Sequence, residues 1–369
     1  MRFRKQHFES YRSKMYYGIS KSSPLLIILL RGGEFLIELY NVLPVVLVAC
    51  VVFINGWTDV PNAITGIVVT GVLSHRAALC LAATCAFLGL ITGSFVNASV
   101  ADTMLSLMNF GGVSRGEAAA ALCAAMLTIL IFALAAWFFG IPTSESHALA
   151  AALAGAFAAC GGGLSQAGWP KIIAGLALSL LLGGGLGRLF IILFGGILRR
   201  LPPGIIVSMQ LFSAGAMAFM HGAQDGLKFI AVLVAAEAVG LGNTLPGAVL
   251  PSQHLPALFL CAFAMMLGTA TGGQRIIYHT GESMVKLDRA SSVCADFGSA
   301  ICLLTGSLSG IPMSTTHTKT AAMMGAGKNA NLRVVGGILL AWGVTFPVCA
   351  ATAYLLMHIF KQIQCLTIA

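Results

Sequence analysis

Gly140-Ile141-Pro142-Thr143-Ser144-Glu145-Ser146-His147 cuts into an apolar run and returns, 170 positions later (310 − 140), as Gly310-Ile311-Pro312-Met313-Ser314-Thr315-Thr316-His317. A second stretch behaves the same way. Asn55-Gly56-Trp57-Thr58-Asp59-Val60-Pro61-Asn62 precedes the first copy, and His221-Gly222-Ala223-Gln224-Asp225-Gly226-Leu227-Lys228 precedes the second. Asp59 stands 83 positions before Pro142 (142 − 59), and Asp225 stands 87 before Pro312 (312 − 225). One arrangement has been used twice along the chain. Proline removes a backbone donor and disfavours helix in the residue before it, while Ser and Thr cap a helix that restarts. Both Gly-Ile-Pro steps, and both Asp stretches, therefore read as broken helices, and breaks at membrane depth are tolerated only where the freed backbone faces protein or water.

The surroundings of these stretches are hydrocarbon. Hydrophobic residues make up 58% of the 369 positions and charged residues only 9%, with a mean hydropathy of +0.91. Soluble domains carry about 25% charge, so the chain is expected in a lipid bilayer as a multi-pass protein of the cell membrane. Roughly 20 apolar residues cross the hydrocarbon core. Candidate runs extend from Leu39–Ile54 to Val334–Phe360, with Ile205–Met220 and Phe229–Leu241 read as separate pieces on either side of Asp225. The formal charge of +9 sits at the ends of apolar runs, which fits topogenic charge better than a nucleic-acid surface. Most of the ten cysteines lie inside those runs without CxxC spacing, which points to packing residues.

The division that follows is a basic N-terminal tail over 1–36, a first transmembrane repeat over 37–198, a loop over 199–206 containing Arg199 and Arg200, and a second repeat over 207–369. Small-residue helices after each step, Ala148–Ala159 and Ala321–Gly327, are too short to span comfortably and are expected to form re-entrant hairpins. The expected fold is an all-α integral membrane protein, an inverted-repeat transporter bundle with broken helices and re-entrant hairpins around a midplane site.

An ionised carboxylate at membrane depth costs about 2.5 kcal/mol or more, so Asp59 and Asp225 call for cationic partners. With Asn55, Asn62, Gln224 and Lys228 beside them, they offer a hard-oxygen setting for a coupling ion. Asp59, Asn62 and Asp225 are the candidate ligands of Na⁺, with a carboxylate-borne proton as the other choice. The restart residues Ser144, Glu145 and Ser146, and Ser314, Thr315 and Thr316, place hydroxyls and free N–H groups at helix N-termini, an anion site. Ordinary N-capping is the competing reading. His147 and His317 close both motifs and are expected to support the ligand-binding groups from behind, with proton relay as the alternative.

At these residues the chain resembles the inorganic phosphate transporter (PiT) family. Gly56-Trp57-Thr58-Asp59-Val60-Pro61-Asn62-Ala63 is similar to that family's GANDVANA motif, and Gly222–Lys228 matches it more weakly; Pro142–His147 and Pro312–His317 are similar to its P-x-S-T-T-H motif. The resemblance implies phosphate uptake driven by Na⁺ or H⁺, an inverted-repeat helical fold and a homodimer. It also implies coupling ions on the first motif's Asp and Asn, and phosphate between the Ser/Thr steps and the aspartates, Asp59 and Asp225 included. Thr58 and Gln224 stand where the family has Asn, Glu145 where it has Thr, and Lys228 where it has Asn.

The expected function is secondary active import of inorganic phosphate with Na⁺ or H⁺ by alternating access, without enzymatic activity, a cofactor or a nucleic-acid partner. Sulfate or another tetrahedral oxyanion is the alternative substrate, and an ion channel the alternative mechanism. Two readings stay open for the departures. In one, Lys228 replaces a bound cation and Glu145 is protonated or paired with Lys228, shifting coupling toward H⁺ or fewer Na⁺. In the other, Glu145 turns to water and Lys228 snorkels to the interface.

Overall fold

A computed structural model describes residues 42–368, apart from 109, 162–167, 244–247, 250–252, 273–276 and 278–282. The tail proposed over 1–36 and the start of the first candidate span at Leu39 lie outside the described residues. Helix α1 (42–58) runs into a 3₁₀ turn (Val60–Ile64) and a short α2 (Thr65–Val69). Then come α3 (His75–Val96), α4 (Ser99–Leu105), α5 (Arg115–Phe139), α6 (Glu145–Ala159) and α7 (Trp169–Leu198). The second half holds α8 (Pro203–Leu241), α9 (Leu255–Thr271), α10 (Arg289–Leu308), α11 (Thr315–Ala326) and α12 (Leu332–Ile368). Seven stretches are long and apolar enough to cross a membrane, and Leu181, Phe212 and Leu340 are among the large apolar side chains left on the outside. This is a multi-pass membrane protein. Among the described residues the backbone is helical apart from connections and one isolated bridge, Lys286 to Lys328.

The two copies of the Asp stretch fold differently. α1 stops at Thr58, because Pro61 in the following turn cannot donate to the helical ladder. The second copy has Leu227 at the matching place, and α8 passes through Gln224, Asp225 and Lys228 without interruption. Ile205–Met220 and Phe229–Leu241 are thus one helix, which corrects the expectation of a break at Asp225. The Gly-Ile-Pro steps do break. Gly140 and Gly310 close α5 and α10 in left-handed conformation, φ 68° and 64°, a region that costs an L side chain roughly 1–2 kcal/mol. α6 and α11 then restart and pack back against α5 and α10, giving two hairpins.

The halves interlock. A Cβ on Gly56 would lie 2.2 Å from the Met265 carbonyl oxygen, and one on Gly268 would lie 1.9 Å from that of Phe53, so α1 and α9 cross backbone to backbone. Gly222 meets Ala86 at 2.0 Å and Gly89 meets Phe219 at 1.9 Å, the same crossing made by α8 and α3. The positions correspond: 53 and 56 become 219 and 222, and 86 and 89 become 265 and 268. Gly155 against Ala350 and Gly325 against Gly184 repeat the relation for α6 on α12 and α11 on α7. Each hairpin is therefore packed by the last long helix of the other half. Between the halves, Arg199 donates to Asp288 at 3.0 Å. Burial pushes the Asp288 carboxyl up, but hydrogen bonds from Ser291 and Arg199 outweigh it and hold the group below its ordinary value.

Candidate functional site

The restart of each hairpin follows from its sequence. Ser144 is the N-cap of α6 and accepts from the His147 N–H at 3.2 Å; Ser314 caps α11 and accepts from the His317 N–H at 3.2 Å. The two cap hydroxyls lie 2.8 Å apart. Two helix N-termini from opposite halves therefore aim at one place, and their unpaired N–H groups and dipoles add there. Ser314 N–H donates to Ser179 of α7 at 2.8 Å, and Trp342 of α12 donates to the Pro142 carbonyl at 2.9 Å, so helices outside the hairpins hold both restarts. The His147 and His317 rings sit 4.4 Å apart, with Trp342 tilted against His317 at 3.8 Å.

α8 brings three charged or titratable groups to the hairpin ends. The Lys228 ammonium donates to Asp225 Oδ1 at 2.6 Å, to Ser146 Oγ at 2.7 Å, and to the Met313 carbonyl. Asp225 Oδ2 accepts from Thr315 at 2.9 Å and from Asn55 of α1 at 3.4 Å. His221 Nε2 lies 3.4 Å from the same oxygen, outside hydrogen-bond geometry. From the other half, Thr58 donates to Glu145 Oε1 at 2.5 Å. Asp59 lies within electrostatic reach of Glu145 and Asp225 and faces Thr316.

All of these side chains are buried except Ser146, which is half-buried. The structure thus brings Asn55, Asp59, Ser144, Glu145, Ser146, Asp225, Lys228, Ser314, Thr315 and Thr316 into one connected polar centre. Three expectations are corrected here. Glu145 faces neither water nor Lys228: it pairs with Thr58, because Asp225, one turn from Lys228 on the same helix, takes the ammonium first. Lys228 is 1% exposed and does not snorkel. Gln224 turns from the centre. Its amide donates to the Leu303 and Ile311 carbonyls, each at 3.3 Å, and its oxygen accepts from Met313 N–H at 3.4 Å, clamping the second hairpin turn.

Several buried atoms in the centre find no hydrogen-bond partner among the described residues: Asp59 Oδ2, both amide atoms of Asn62, Asn55 Oδ1 and Glu145 Oε2. Leaving such groups unpaired costs about 1–3 kcal/mol each, which marks a place built for something polar. No cluster of three or more His, Cys, Asp or Glu with metal-ligand geometry exists among the described residues. Sequence reasoning passed over Thr58 as a partner of Glu145, and over Asp296 of α10, which accepts from Lys319 of α11 and, at 3.1 Å, from Ser213 of α8. The available signal was a charge inside each of two apolar helices.

Two converging hairpin ends, interlocked halves and a buried centre of acids, hydroxyls and one ammonium define a membrane transport protein of duplicated architecture. The chain belongs to the phosphate transporter family, which it matches twice, over residues 55–206 and 198–353. It is 29% identical to the probable low-affinity inorganic phosphate transporter of Bacillus subtilis (strain 168), covering 87% of this chain and 99% of that protein. The protein of the same description from Rhizobium meliloti (strain 1021) is 31% identical, covering 81% and 90%. A solved structure described as the sodium-dependent phosphate transporter superposes with a TM-score of 0.78 at 19% identity, covering 88% of this chain and 99% of its own.

Proposed function

We propose that the protein is a secondary active transporter that imports inorganic phosphate together with Na⁺ or H⁺ by alternating access. The repeats over 37–198 and 207–369 insert in opposite orientations, joined by 199–206, and two copies of the chain form a homodimer. The observation that carries the transport reading is the 2.8 Å approach of the Ser144 and Ser314 cap hydroxyls, which focuses two helix N-termini on a single anion. Phosphate accepts from those N–H groups, from Thr316, and from whichever of the Ser144 and Ser314 hydroxyls does not donate to the other. The descriptions of the Bacillus and Rhizobium relatives support phosphate as the substrate.

Charge supports cation coupling. Asp59, Glu145 and Asp225 set three carboxylates against the single ammonium of Lys228, a surplus of two negative charges if all are ionised. A phosphate adds one or two more. Buried charge of one sign is expensive, so the anion enters only with cations or protons. Carboxylates also favour phosphate over sulfate, because monohydrogen phosphate can donate its proton to one of them while sulfate has none to donate. The test is uptake of radiolabelled phosphate into proteoliposomes, with Na⁺ and pH gradients imposed separately and sulfate as competitor. Accumulation above the phosphate gradient under one of the two, with sulfate a poor competitor, is expected. Equilibration without accumulation would mean a channel, and equal competition by sulfate would mean a general oxyanion carrier.

A further inference from the structure

The duplicated stretches allow the two halves to be compared atom set by atom set. In the second half the ammonium of Lys228 is held by three oxygens: Asp225 Oδ1, Ser146 Oγ and the Met313 carbonyl. A lysine ammonium has three hydrogens, so this is a complete shell. The repeat assigns each member a counterpart in the first half: Asp225 becomes Asp59, Ser146 becomes Thr316, Met313 becomes Thr143, and Lys228 becomes Asn62. In the counterpart set, Asp59 Oδ2 and both Asn62 amide atoms are buried and find no hydrogen-bond partner among the described residues. The Thr316 hydroxyl lies within hydrogen-bond reach of the Asp59 carboxylate.

The same group of oxygens thus exists twice. One copy surrounds a positive charge carried on a side chain; the other has the oxygens and, among the described residues, no positive charge of its own. From this we infer that Lys228 is a built-in cation, fixed at the second of two mirror-related oxygen sites, and that only the first, formed by Asp59, Asn62 and Thr316, takes up a diffusible monovalent cation. This rests on the transport reading above and adds a count to it: the chain moves one cation fewer per phosphate than it would with asparagine at both places.

Asn62 at the first site is suited to its part. Its amide oxygen adds a neutral ligand for a small hard cation, and it sits in the 3₁₀ turn that follows the end of α1, the discontinuous-helix setting in which ion sites form. α8 has no such interruption. A lysine there brings its charge on its own stem and needs no freed carbonyls from its own helix, so the departure from asparagine and the unbroken helix are consistent with one another.

The test replaces Lys228 by the residue that the first half carries. Purified Lys228→Asn and wild type are compared by equilibrium binding of radiolabelled Na⁺ at alkaline pH, and in proteoliposomes by the Na⁺ and H⁺ moved per phosphate, read from the gradients at which net flux vanishes. Lys228→Asn is expected to bind one more Na⁺ per chain than wild type, to be stabilised by Na⁺ in thermal melts, and to move one more cation per phosphate. Asn62→Lys, the reverse exchange, is expected to move one fewer. An unchanged Na⁺ count in folded Lys228→Asn overturns the inference. If Lys228→Asn does not fold, a wild-type cation count in Asn62→Lys overturns it equally. The binding comparison decides the matter even for protein that moves no phosphate, the result that would sink the transport reading alone.

Discussion

Asp225 and Asp59 occupy matching positions in the repeat, yet the structure gives them different neighbours, and their substitutions should separate. Asp225 neutralises a buried ammonium. Changing it to Asn leaves that charge alone in a low-dielectric interior, which costs about 3–5 kcal/mol. Among the described residues Asp59 has no fixed cation beside it; Asp59→Asn removes a charge repelled by Glu145 and Asp225 and should leave stability within about 1 kcal/mol of wild type. Coupled uptake is expected to fail in both. Melting temperatures in detergent check the difference: a large drop for Asp225→Asn, largely reversed in Asp225→Asn/Lys228→Met, and little change for Asp59→Asn. Equal drops would mean that the ammonium is not held chiefly by Asp225. At this scale the repeat made the important residues legible, since a carboxylate recurring at equal spacing in apolar surroundings stands out. Their partners were not legible. Gln224 was expected to offer an oxygen to a cation and instead ties down the Met313 turn. Asp296 and Lys319 form a second buried ion pair that has no acidic or basic counterpart in the first half, where the matching positions hold Met126 and Leu149, so no repetition drew attention to it.

Element boundaries depend on single residues that the repeat does not share. Pro61 breaks the first Asp stretch; Leu227 lets the second run on. In sequence the apolar pattern around Asp225 reads as two spans, because a charged, glycine-containing stretch is an unusual helix interior. It stays helical because Lys228, Thr315 and Asn55 satisfy the carboxylate, leaving the backbone free to keep its own ladder. Pro61→Leu, which copies the second half into the first, is expected to extend α1 through Asn62, turn Asp59 to a new face and abolish uptake while the protein still folds. Circular dichroism should show unchanged or slightly higher helix content, and Na⁺ should no longer raise the melting temperature. Retained uptake would show that the interruption is not needed to present Asp59. The hairpins, by contrast, are readable from sequence, since Gly-Ile-Pro followed by hydroxyls supplies a left-handed stop, a backbone without a donor and a cap within five residues.

At the scale of the whole molecule, the duplication visible in the sequence told which parts exist but not that the halves exchange them. The glycines that make the exchange possible, Gly56, Gly89, Gly222 and Gly268, are scattered singly through a chain with 43 of them, and only the crossing geometry shows that each faces a carbonyl of the opposite half. The consequence is mechanical. The first hairpin rests on the second half's last helix and the second hairpin on the first half's, so the Ser144–Ser314 contact joins two units free to separate only if the halves rearrange. Hydroxyl oxygens 2.8 Å apart bring their Cβ atoms near the range of roughly 3.5–4.5 Å that a disulfide requires. Ser144→Cys/Ser314→Cys should therefore cross-link on mild oxidation. The link is scored by nicking the chain at Arg199 and Arg200 with trypsin and asking whether the halves run together on a non-reducing gel. Wild type, in which nine described cysteines are all free, controls for other pairs. If phosphate crosses by parting the hairpins, oxidised protein should still bind phosphate weakly on one side but lose at least tenfold in uptake, with recovery on reduction to the level of each single cysteine variant. Uptake that survives complete cross-linking would instead make the two hairpin ends a single rigid body, and the alternation between sides would have to come from the long helices α3, α8, α1 and α9 moving around it.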